Sequence, residues 1–439
     1  MQAGGRTARQ GLRGAARWAL GALVLGLAGL LSAGCGGADA SKAKLRLVNA
    51  STGYAALDLY VDDQRVQRDV VYGASASYAE VDPNKTDTKI ARAGSSAALF
   101  SSTPALARGD RYSLVAYGAD GALRAVLLDD NASEPDRGEA WLRVLNAAPE
   151  AGPVDVYLTP AETALADAAP LVAGAAAGAT TAFAIADATS WRLRVTAAGD
   201  KDDLRLDLPA IALASRQVAT LVVTPGAGGV LVNALLATQD GPITTLTGTQ
   251  ARVRAVAAVT DSGAVGASVG GVTLMAGTGA PAVGAYRLVP ASAAAAATVS
   301  VNGVELAMLE TDLAAGTDHT LLVWGPAAAP SAGWIADDNQ PATVAGRAKL
   351  RLVHGLAGLG GTLSLTVDFS PLAEGVLPGT ASPSAALDAT ALAALTVTSP
   401  GRASPVFSAV EQTLAAGSVY SLFVVGGIDA PVGILRKDR

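Results

Sequence analysis

The fold is decided by a repeated sequence motif, of which one copy is Leu414-Ala-Ala-Gly417-Ser-Val-Tyr420-Ser-Leu422-Phe-Val-Val-Gly426. Its pattern is Leu-x-x-Gly-x-x-(Tyr/His)-(Ser/Thr)-Leu-x-x-x-Gly, which also occurs at residues 106–118 and 313–325, with a weaker copy at 213–226. Internal repetition at this spacing indicates a duplicated module. The continuous apolar run inside each copy is typical of a central β-strand with both faces covered.

A second motif shows where each repeat unit begins. An arginine flanked by apolar residues occurs at Arg46, Arg143, Arg254 and Arg351, at spacings of 97, 111 and 97 residues. A module of this length is large enough to close its own core. We therefore predict four units at residues 44–135, 136–246, 247–343 and 344–439, following a leader (1–34) and a short tether (35–43).

The remaining patterns predict an all-β fold. Leu57-Asp58-Leu59-Tyr60-Val61 and Val154-Asp155-Val156-Tyr157-Leu158 alternate in the manner of half-buried strands, and turn residues recur every eight to twelve positions. We expect antiparallel β-sandwiches of the immunoglobulin-like kind. Alanine-rich stretches at 161–179, 291–297 and 385–394 have high helix propensity. We expect loops or single helical turns there, with a short helix over 384–394 as the best helical candidate.

The N-terminal region predicts export. Four arginines precede an apolar run at 18–31, which is the pattern of a secretory signal peptide and is too short for a transmembrane helix. Leu31-Ser-Ala-Gly34-Cys35 follows, and Cys35 is the only cysteine. This segment resembles the lipobox of bacterial lipoproteins, which implies lipidation of Cys35. By the same resemblance, Gly36 favours the outer membrane; an ordinary signal peptide is the alternative.

Charge and residue counts exclude several classes of function. Without the four leader arginines, Lys plus Arg falls from 32 to 28 against 38 acidic residues, a net charge of −10. Such a chain repels phosphate backbones, so we expect no nucleic-acid partner. Two histidines and one cysteine are too few for a zinc site, and we predict no metal and no cofactor. Acidic turns such as Asp129-Asp130-Asn131 either cap their own backbone or bind Ca²⁺ weakly.

A few side chains are candidates for a functional site. Gly266-Ala-Ser268-Val-Gly270 matches the nucleophile-elbow pattern of serine hydrolases, but strand-like residues follow it where that motif needs a helix. Trp334 borders a Gly/Pro-rich loop and is a candidate sugar contact. The recurring pairs Asp58/Tyr60 and Asp155/Tyr157 each lie on one strand face. They are candidate ligand contacts, and the alternative is that each Tyr packs over the sandwich edge while the Asp holds neighbouring backbone or Arg46 and Arg143.

The opening of the second unit resembles a known family. The segment Leu142-Arg143-Val-Leu-Asn146, its Pro-rich turn and the Asp155-Val-Tyr157 strand are similar to the DUF4397 family of bacterial envelope domains. That resemblance implies an immunoglobulin-like sandwich, often in tandem on exported lipoproteins, with no established activity. His354 matches a common family histidine, which Asn49 and Asn146 replace in the first two units. The Asp-x-Tyr pattern is missing from the fourth unit.

The sequence therefore predicts a non-enzymatic, lipid-anchored array of sandwiches in the cell envelope with a structural, adhesive or ligand-binding role. Its expected partners are the membrane, through Cys35, and an envelope protein or cell-wall polysaccharide. A carbohydrate-binding accessory protein is the alternative, followed by a serine hydrolase that uses Ser268.

Overall fold

The computed structural model describes residues 41–439, and this part of the chain is all-β. It contains 35 strands, two single-turn 3₁₀ segments (Pro149–Ala151 and Leu165–Asp167) and no α-helix. The strands form eight sheets, and each sheet takes its strands from only one of the four units. Two sheets enclose the apolar core of each unit.

The first two units contain seventeen strands. Unit 1 comprises β1 (Ala43–Asn49), β2 (Ala56–Val61), β3 (Gln64–Val71), β4 (Ala79–Val81), β5 (Thr88–Arg92), β6 (Ala98–Ser102), β7 (Arg111–Tyr117) and β8 (Arg124–Asp129). Unit 2 comprises β9 (Glu139–Asn146), β10 (Val154–Thr159), β11 (Val172–Ala175), β12 (Ala184–Asp187), β13 (Ser190–Ala197), β14 (Asp200–Ala212), β15 (Gln217–Pro225), β16 (Val232–Thr238) and β17 (Ile243–Leu246). The sheet orders are β4-β1-β7-β8, β3-β2-β5-β6, β12-β9-β15-β16-β17 and β11-β10-β13-β14.

The last two units repeat this plan. Unit 3 comprises β18 (Gln250–Val259), β19 (Ala264–Val269), β20 (Val272–Gly279), β21 (Ala282–Val283), β22 (Arg287–Pro290), β23 (Ser292–Val301), β24 (Val304–Glu305), β25 (Leu309–Leu313), β26 (Asp318–Gly325) and β27 (Ser331–Asp337). Unit 4 comprises β28 (Arg347–Ala357), β29 (Leu363–Val367), β30 (Ser370–Val376), β31 (Ala385–Asp388), β32 (Thr390–Thr398), β33 (Phe407–Leu414), β34 (Val419–Gly427) and β35 (Ala430–Lys437). We call the sheet that contains the first strand of a unit its central sheet. In unit 3 this sheet has the order β21-β18-β26-β27, with β22 also paired with β18, and in unit 4 it has the order β31-β28-β34-β35.

The predicted all-β fold of tandem β-sandwiches is confirmed, and four of the eight sheets are mixed because each contains one parallel pair of strands. In every unit the first strand runs parallel to a late strand: β1 to β7, β9 to β15, β18 to β26 and β28 to β34. The late strand carries the repeated motif, as at residues 414–426 in unit 4. Both faces of these paired strands are buried, which is typical of parallel pairing and explains their continuous apolar sequence.

Two of the three alanine-rich stretches also differ from expectation. Residues 292–301 form β23, and residues 385–398 form β31 and β32 instead of a helix. In β23 the buried residues alternate with exposed ones, as in Ala295, Ala297 and Val299. A two-residue period buries one face of a strand, and this packing outweighs the helix propensity of alanine. The stretch 161–179 is largely loop, with one 3₁₀ turn and β11.

The four units associate as two pairs. Outward-facing residues of the central sheets of units 1 and 2 form one shared apolar cluster, which includes Val48, Ala50, Val115, Leu145 and Ala147. Units 3 and 4 share an equivalent cluster around Val256, Ala258, Leu322, Val353 and Phe423. We call units 1 and 2 the first pair, and units 3 and 4 the second pair.

Candidate functional site

The four recurring arginines lie between the units of each pair. Each stands on the first strand of its unit, opposite a hydroxyl residue on the parallel late strand. Each Nε donates a hydrogen bond to that hydroxyl at 2.7–2.9 Å: Arg46 to Ser113, Arg143 to Thr220, Arg254 to Thr320 and Arg351 to Ser421. All four arginines are buried. The Nε bond orients each guanidinium group, and at least one Nη atom of each arginine donates to the other unit of the pair.

In the second pair these donors meet two buried carboxylates, one from the end of each unit. Arg254 Nη1 donates to Asp438 of unit 4, and Arg351 Nη2 donates to Asp337 of unit 3 at 2.6 Å. Each carboxylate also accepts from the hydroxyl on its own late strand, Thr320 for Asp337 and Ser421 for Asp438. Two arginines and two aspartates therefore form a crossed, charge-balanced cluster across the interface.

In the first pair one of the two carboxylates is replaced by an amide. Asp130 of unit 1 accepts from Ser113 and from Arg143 Nη2, but Gln239 occupies the corresponding place in unit 2. Arg46 Nη2 instead donates to the carbonyl oxygen of Thr238 at 3.1 Å. This cluster carries two arginines and one carboxylate, which leaves it one positive charge in excess.

The pKa shifts follow this difference in composition. Burial lowers the pKa of Arg143, and Asp130 and Asp129 offset only part of that effect. Burial acts in the same direction on Arg351, but Asp337 and Asp438 outweigh it and raise the pKa of Arg351. Burial alone raises the pKa of Asp337, whereas Arg351 and Arg254 lower it below its usual value. The second pair is thus held by charges that stabilise one another.

Aromatic rings cover three of the four arginines. The guanidinium of Arg46 lies 4.7 Å from the ring centroid of Tyr78, and that of Arg143 lies 4.7 Å from Phe183. Arg254 lies 4.5 Å from Tyr286, whose hydroxyl donates to Asp337. These contacts exclude water and favour the cation.

Asp58 and Asp155, two of the candidate ligand contacts, are buried and hold turns of their own units. Asp58 accepts from the backbone N–H of Asp69 and Gly94 and from Arg65 Nη1. Asp155 accepts from the N–H of Gly174 and Gly199 at 2.7 and 2.9 Å. Every oxygen of both carboxylates has a partner within its own unit. The geometry thus favours the backbone-holding alternative, although neither aspartate contacts Arg46 or Arg143.

The two tyrosines of these pairs have different surroundings. The hydroxyl of Tyr60 donates to the carbonyl oxygen of Ser95, and Lys89 Nζ lies 4.8 Å from its ring centroid. Tyr157 is 2% exposed. Tyr60 therefore retains a partly exposed ring, while Tyr157 offers no surface to a ligand.

Trp334 packs against the core of unit 3, in an edge-on contact with His319 at 6.3 Å between ring centroids. Trp324 packs instead into the apolar cluster between units 3 and 4, against Gly379. The strand register explains the difference, because Trp324 faces the partner unit.

Ser268 lies inside β19, opposite Thr273 of β20 and Thr298 of β23. The chain turns at Gly270 and Gly271 and continues as β20. The strand–turn–helix geometry that the nucleophile elbow requires is therefore not the geometry around Ser268. The Nε2 atom of His319 lies 3.0 Å from the hydroxyl of Thr317.

Sequence reasoning missed the shared role of Asn49, Asn146 and His354. All three are fully buried on the first strand of their units, where Asn49 and Asn146 end β1 and β9 and His354 has the same place in the repeat within β28. Asn49 and Asn146 accept a bond from the N–H two residues ahead and donate to loop carbonyls. His354 does the same, since Nδ1 accepts from Leu356 N–H and Nε2 lies 3.2 Å from the carbonyl of Gly361. The shared register position was the available signal.

The acidic turns mostly cap their own backbone. Asp129 accepts from Asn131 N–H, Asp200 from Asp202 N–H and Asp338 from Gln340 N–H. Within residues 41–439, no cluster of three or more His, Cys, Asp or Glu side chains is arranged to hold a metal ion. No helix in this range is long and apolar enough to cross a membrane. Cys35 and the leader lie outside the described residues.

The chain matches the model of one protein family, the domain of unknown function DUF4397, over residues 43–157 and 251–361. No curated protein matches the chain. Each matched segment begins in the first strand of an odd-numbered unit and continues past the first strand of the next unit, to a position within β10 in the first match and just before β29 in the second. Each therefore contains both arginines of a pair. The second matched segment covers unit 3 from residue 251 onward.

Proposed function

The chain belongs to the DUF4397 family of unknown function, and from that premise we propose that it is a non-enzymatic, lipid-anchored protein of the cell envelope whose four sandwiches form a structural or adhesive array. The observation that carries this proposal is the crossed cluster of Arg254, Asp438, Arg351 and Asp337. Buried charges of this kind fix the relative orientation of the units they join. An array that holds surfaces at set positions requires that property.

The proposed anchor is a lipid on Cys35. The leader arginines, the apolar run and the small residues before Cys35 support it. Two or three acyl chains would hold the chain stably, since burial contributes about 0.8 kcal/mol per CH₂. Residues 36–43 are short, so the first unit would stand near the membrane, and Gly36 favours the outer membrane.

Metabolic labelling with palmitate tests the anchor. The full chain should incorporate label and sediment with the envelope, whereas the Cys35→Ser variant should lose both properties. Ser32→Ala, which keeps the cysteine, is the matched control and should behave as the parent chain. Unlabelled but membrane-bound parent protein would contradict the anchor.

The non-enzymatic assignment is tested separately with a fluorophosphonate serine probe on residues 36–439. The parent chain and Ser268→Ala should react equally weakly. Labelling that disappears in Ser268→Ala would overturn the assignment and favour the hydrolase alternative.

A further inference from the structure

A cleft of about 890 Å³ lies where units 2, 3 and 4 meet. One wall is the beginning of β14, at residues 200–204. The opposite wall is formed by residues 283–288 of unit 3 together with Arg436 and Lys437 of β35, and Arg252 and Arg254 also line it. The volume is within the range of small-molecule sites and is large enough for an oligosaccharide of a few residues.

Positively charged residues line the cleft, although the protein as a whole is acidic. Arg252 is neutralised by a two-bond contact with Asp318, and Arg254 by Asp438. Arg287, Arg436 and Lys437 are exposed. Within residues 41–439 none of these three has a carboxylate within ion-pair distance. Three cations without a carboxylate partner therefore line one cleft, and of these Arg436 donates through Nη2 to the carbonyl oxygen of Val283 at 3.5 Å. The whole chain is net negative.

The facing wall supplies mainly acceptors, because its one cation, Lys201, donates to the carbonyl oxygens of Ala166 and Ala168. Asp203 pairs with Arg205, but Asp200 and Asp202 have no cationic partner among the described residues. Asp200 uses one oxygen to accept from its own turn, and Asp202 is exposed. Carboxylates of this kind accept bonds from hydroxyl groups.

One buried donor beside the cleft also lacks a hydrogen-bond acceptor. Arg254 is 2% exposed, and its Nη2 atom has no hydrogen-bond partner within the described residues. A carboxylate oxygen of Asp337 lies 4.0 Å from this Nη2 atom. Native proteins rarely leave a buried donor unused, and a bound acceptor is one way to satisfy it.

From these features we infer that the cleft binds an acidic saccharide. Its carboxylate groups contact Arg287, Arg436 and Lys437, because guanidinium groups bind carboxylates through paired bonds. Its hydroxyl groups contact Asp200 and Asp202. A simple anion would leave most of the volume empty and would be repelled by the aspartate wall. This inference deepens the proposed envelope role, and it rests on that role for its source of ligand.

Calorimetric titration of residues 36–439 with trigalacturonate tests the inference. The fully methyl-esterified trimer, which has the same hydroxyl groups and no charge, is the ligand control. We expect binding of the acid and none of the ester. Equal binding of both, or of neither, would overturn the inference.

Two matched variants separate the cleft from general electrostatics. Arg287→Gln/Arg436→Gln/Lys437→Gln should weaken binding at least tenfold. Arg108→Gln/Arg124→Gln/Arg402→Gln changes the net charge equally at exposed residues outside the cleft and should leave binding within about twofold. Equal weakening in both variants would overturn the site.

The aspartate wall gives an independent readout. If Asp200 and Asp202 accept from hydroxyl groups, Asp200→Asn/Asp202→Asn should weaken binding. If they only repel an anion, the same variant should bind more tightly, and the saccharide inference would be wrong. Loss of binding in any of these tests leaves palmitate labelling of Cys35 unaffected, so the two proposals fail independently.

Discussion

Asp438 is the residue whose substitution tests the charge cluster of the second pair most directly. Its carboxylate is completely buried, and it accepts from Arg254 Nη1 and the Ser421 hydroxyl, with Arg351 Nη2 at 4.0 Å. The Asp438→Asn variant keeps the shape but leaves two guanidinium groups with the single carboxylate of Asp337. Two unit charges about 4 Å apart interact by about 4 kcal/mol at an effective dielectric constant near 20. Breaking a buried pair by changing one partner costs about 3–5 kcal/mol. We expect a loss of that size.

The measurement is native-state hydrogen exchange, which reports the opening free energy of each pair separately. Amides of β18 and β28 should lose about 3 kcal/mol or more of protection, whereas those of β1 and β9 provide the internal reference. Asp388→Asn is the matched control, because Asp388 pairs with Arg347 on the surface at 86% and 41% exposure. An exposed pair contributes about 0–1 kcal/mol, so little change is expected there.

A double-mutant cycle then assigns the effect to the pair itself. Arg254→Met combined with Asp438→Asn removes one charge of each sign and leaves Arg351 with Asp337. The double variant should therefore be less destabilised than the sum of the single variants, by about 2 kcal/mol. Additive losses, or an Asp438→Asn effect no larger than that of Asp388→Asn, would refute the assigned role.

Three further predictions concern single positions. Burial lowers the pKa of His354 below its unfolded value, so its neutral form stabilises unit 4 above about pH 6.5, and this stability is lost as the pH falls through the folded pKa. The His354→Asn variant should therefore show a smaller fall in the urea unfolding midpoint between pH 7 and pH 5 than the parent chain. An unchanged fall would contradict the shared role with Asn49. Gly229 has a φ of +92°, and a Cβ there would meet the backbone of Gln340 at 2.6 Å. The Gly229→Val variant should therefore increase proteolytic cleavage between units 2 and 3. The control is Gly138→Val, which should not increase it, because Gly138 has a φ of +93° but lies in open space. Asp58→Ala leaves the Asp69 and Gly94 amides without their acceptor and should lower the unfolding free energy of unit 1 by about 2–4 kcal/mol in urea titration; a loss below about 1 kcal/mol would favour a ligand role instead.

The strands and their grouping were largely predictable from the sequence, because they depend on local patterns. The recurring arginine and the repeated motif have the same period as the sheets, and no sheet contains strands from more than one unit. The parallel pairing was missed, because an apolar run indicates that both faces are covered and does not indicate the direction of the neighbouring strand.

The pairing of the units was not predictable by the same reasoning. Arg46 reaches Thr238 across 192 positions, and no periodicity within one unit encodes that contact. A signal was nevertheless present. Asp130 and Asp438 directly follow the last strand of the central sheet, and Asp337 is the last residue of that strand in unit 3. Asp129-Asp130-Asn131 has the pattern of an acidic turn, in which aspartates usually cap their own backbone. Treating the recurring arginine and the recurring aspartate as one set would have indicated an interface.

The arginines on the docking faces have a consequence for how the chain acquires its structure. In a polypeptide that emerges N-terminus first, β7 can pair with β1 early, since Arg46 and Ser113 are 67 positions apart. The contact of Arg46 with Thr238 forms only after unit 2 has been synthesised, because these residues are 192 positions apart. During that interval the face bearing Val48, Ala50 and Val115 is uncovered. A charge in the middle of an apolar strand reduces its aggregation with other incompletely synthesised copies of the chain. The side chain that later joins two sandwiches thus also acts as a gatekeeper against aggregation before its partner has been made.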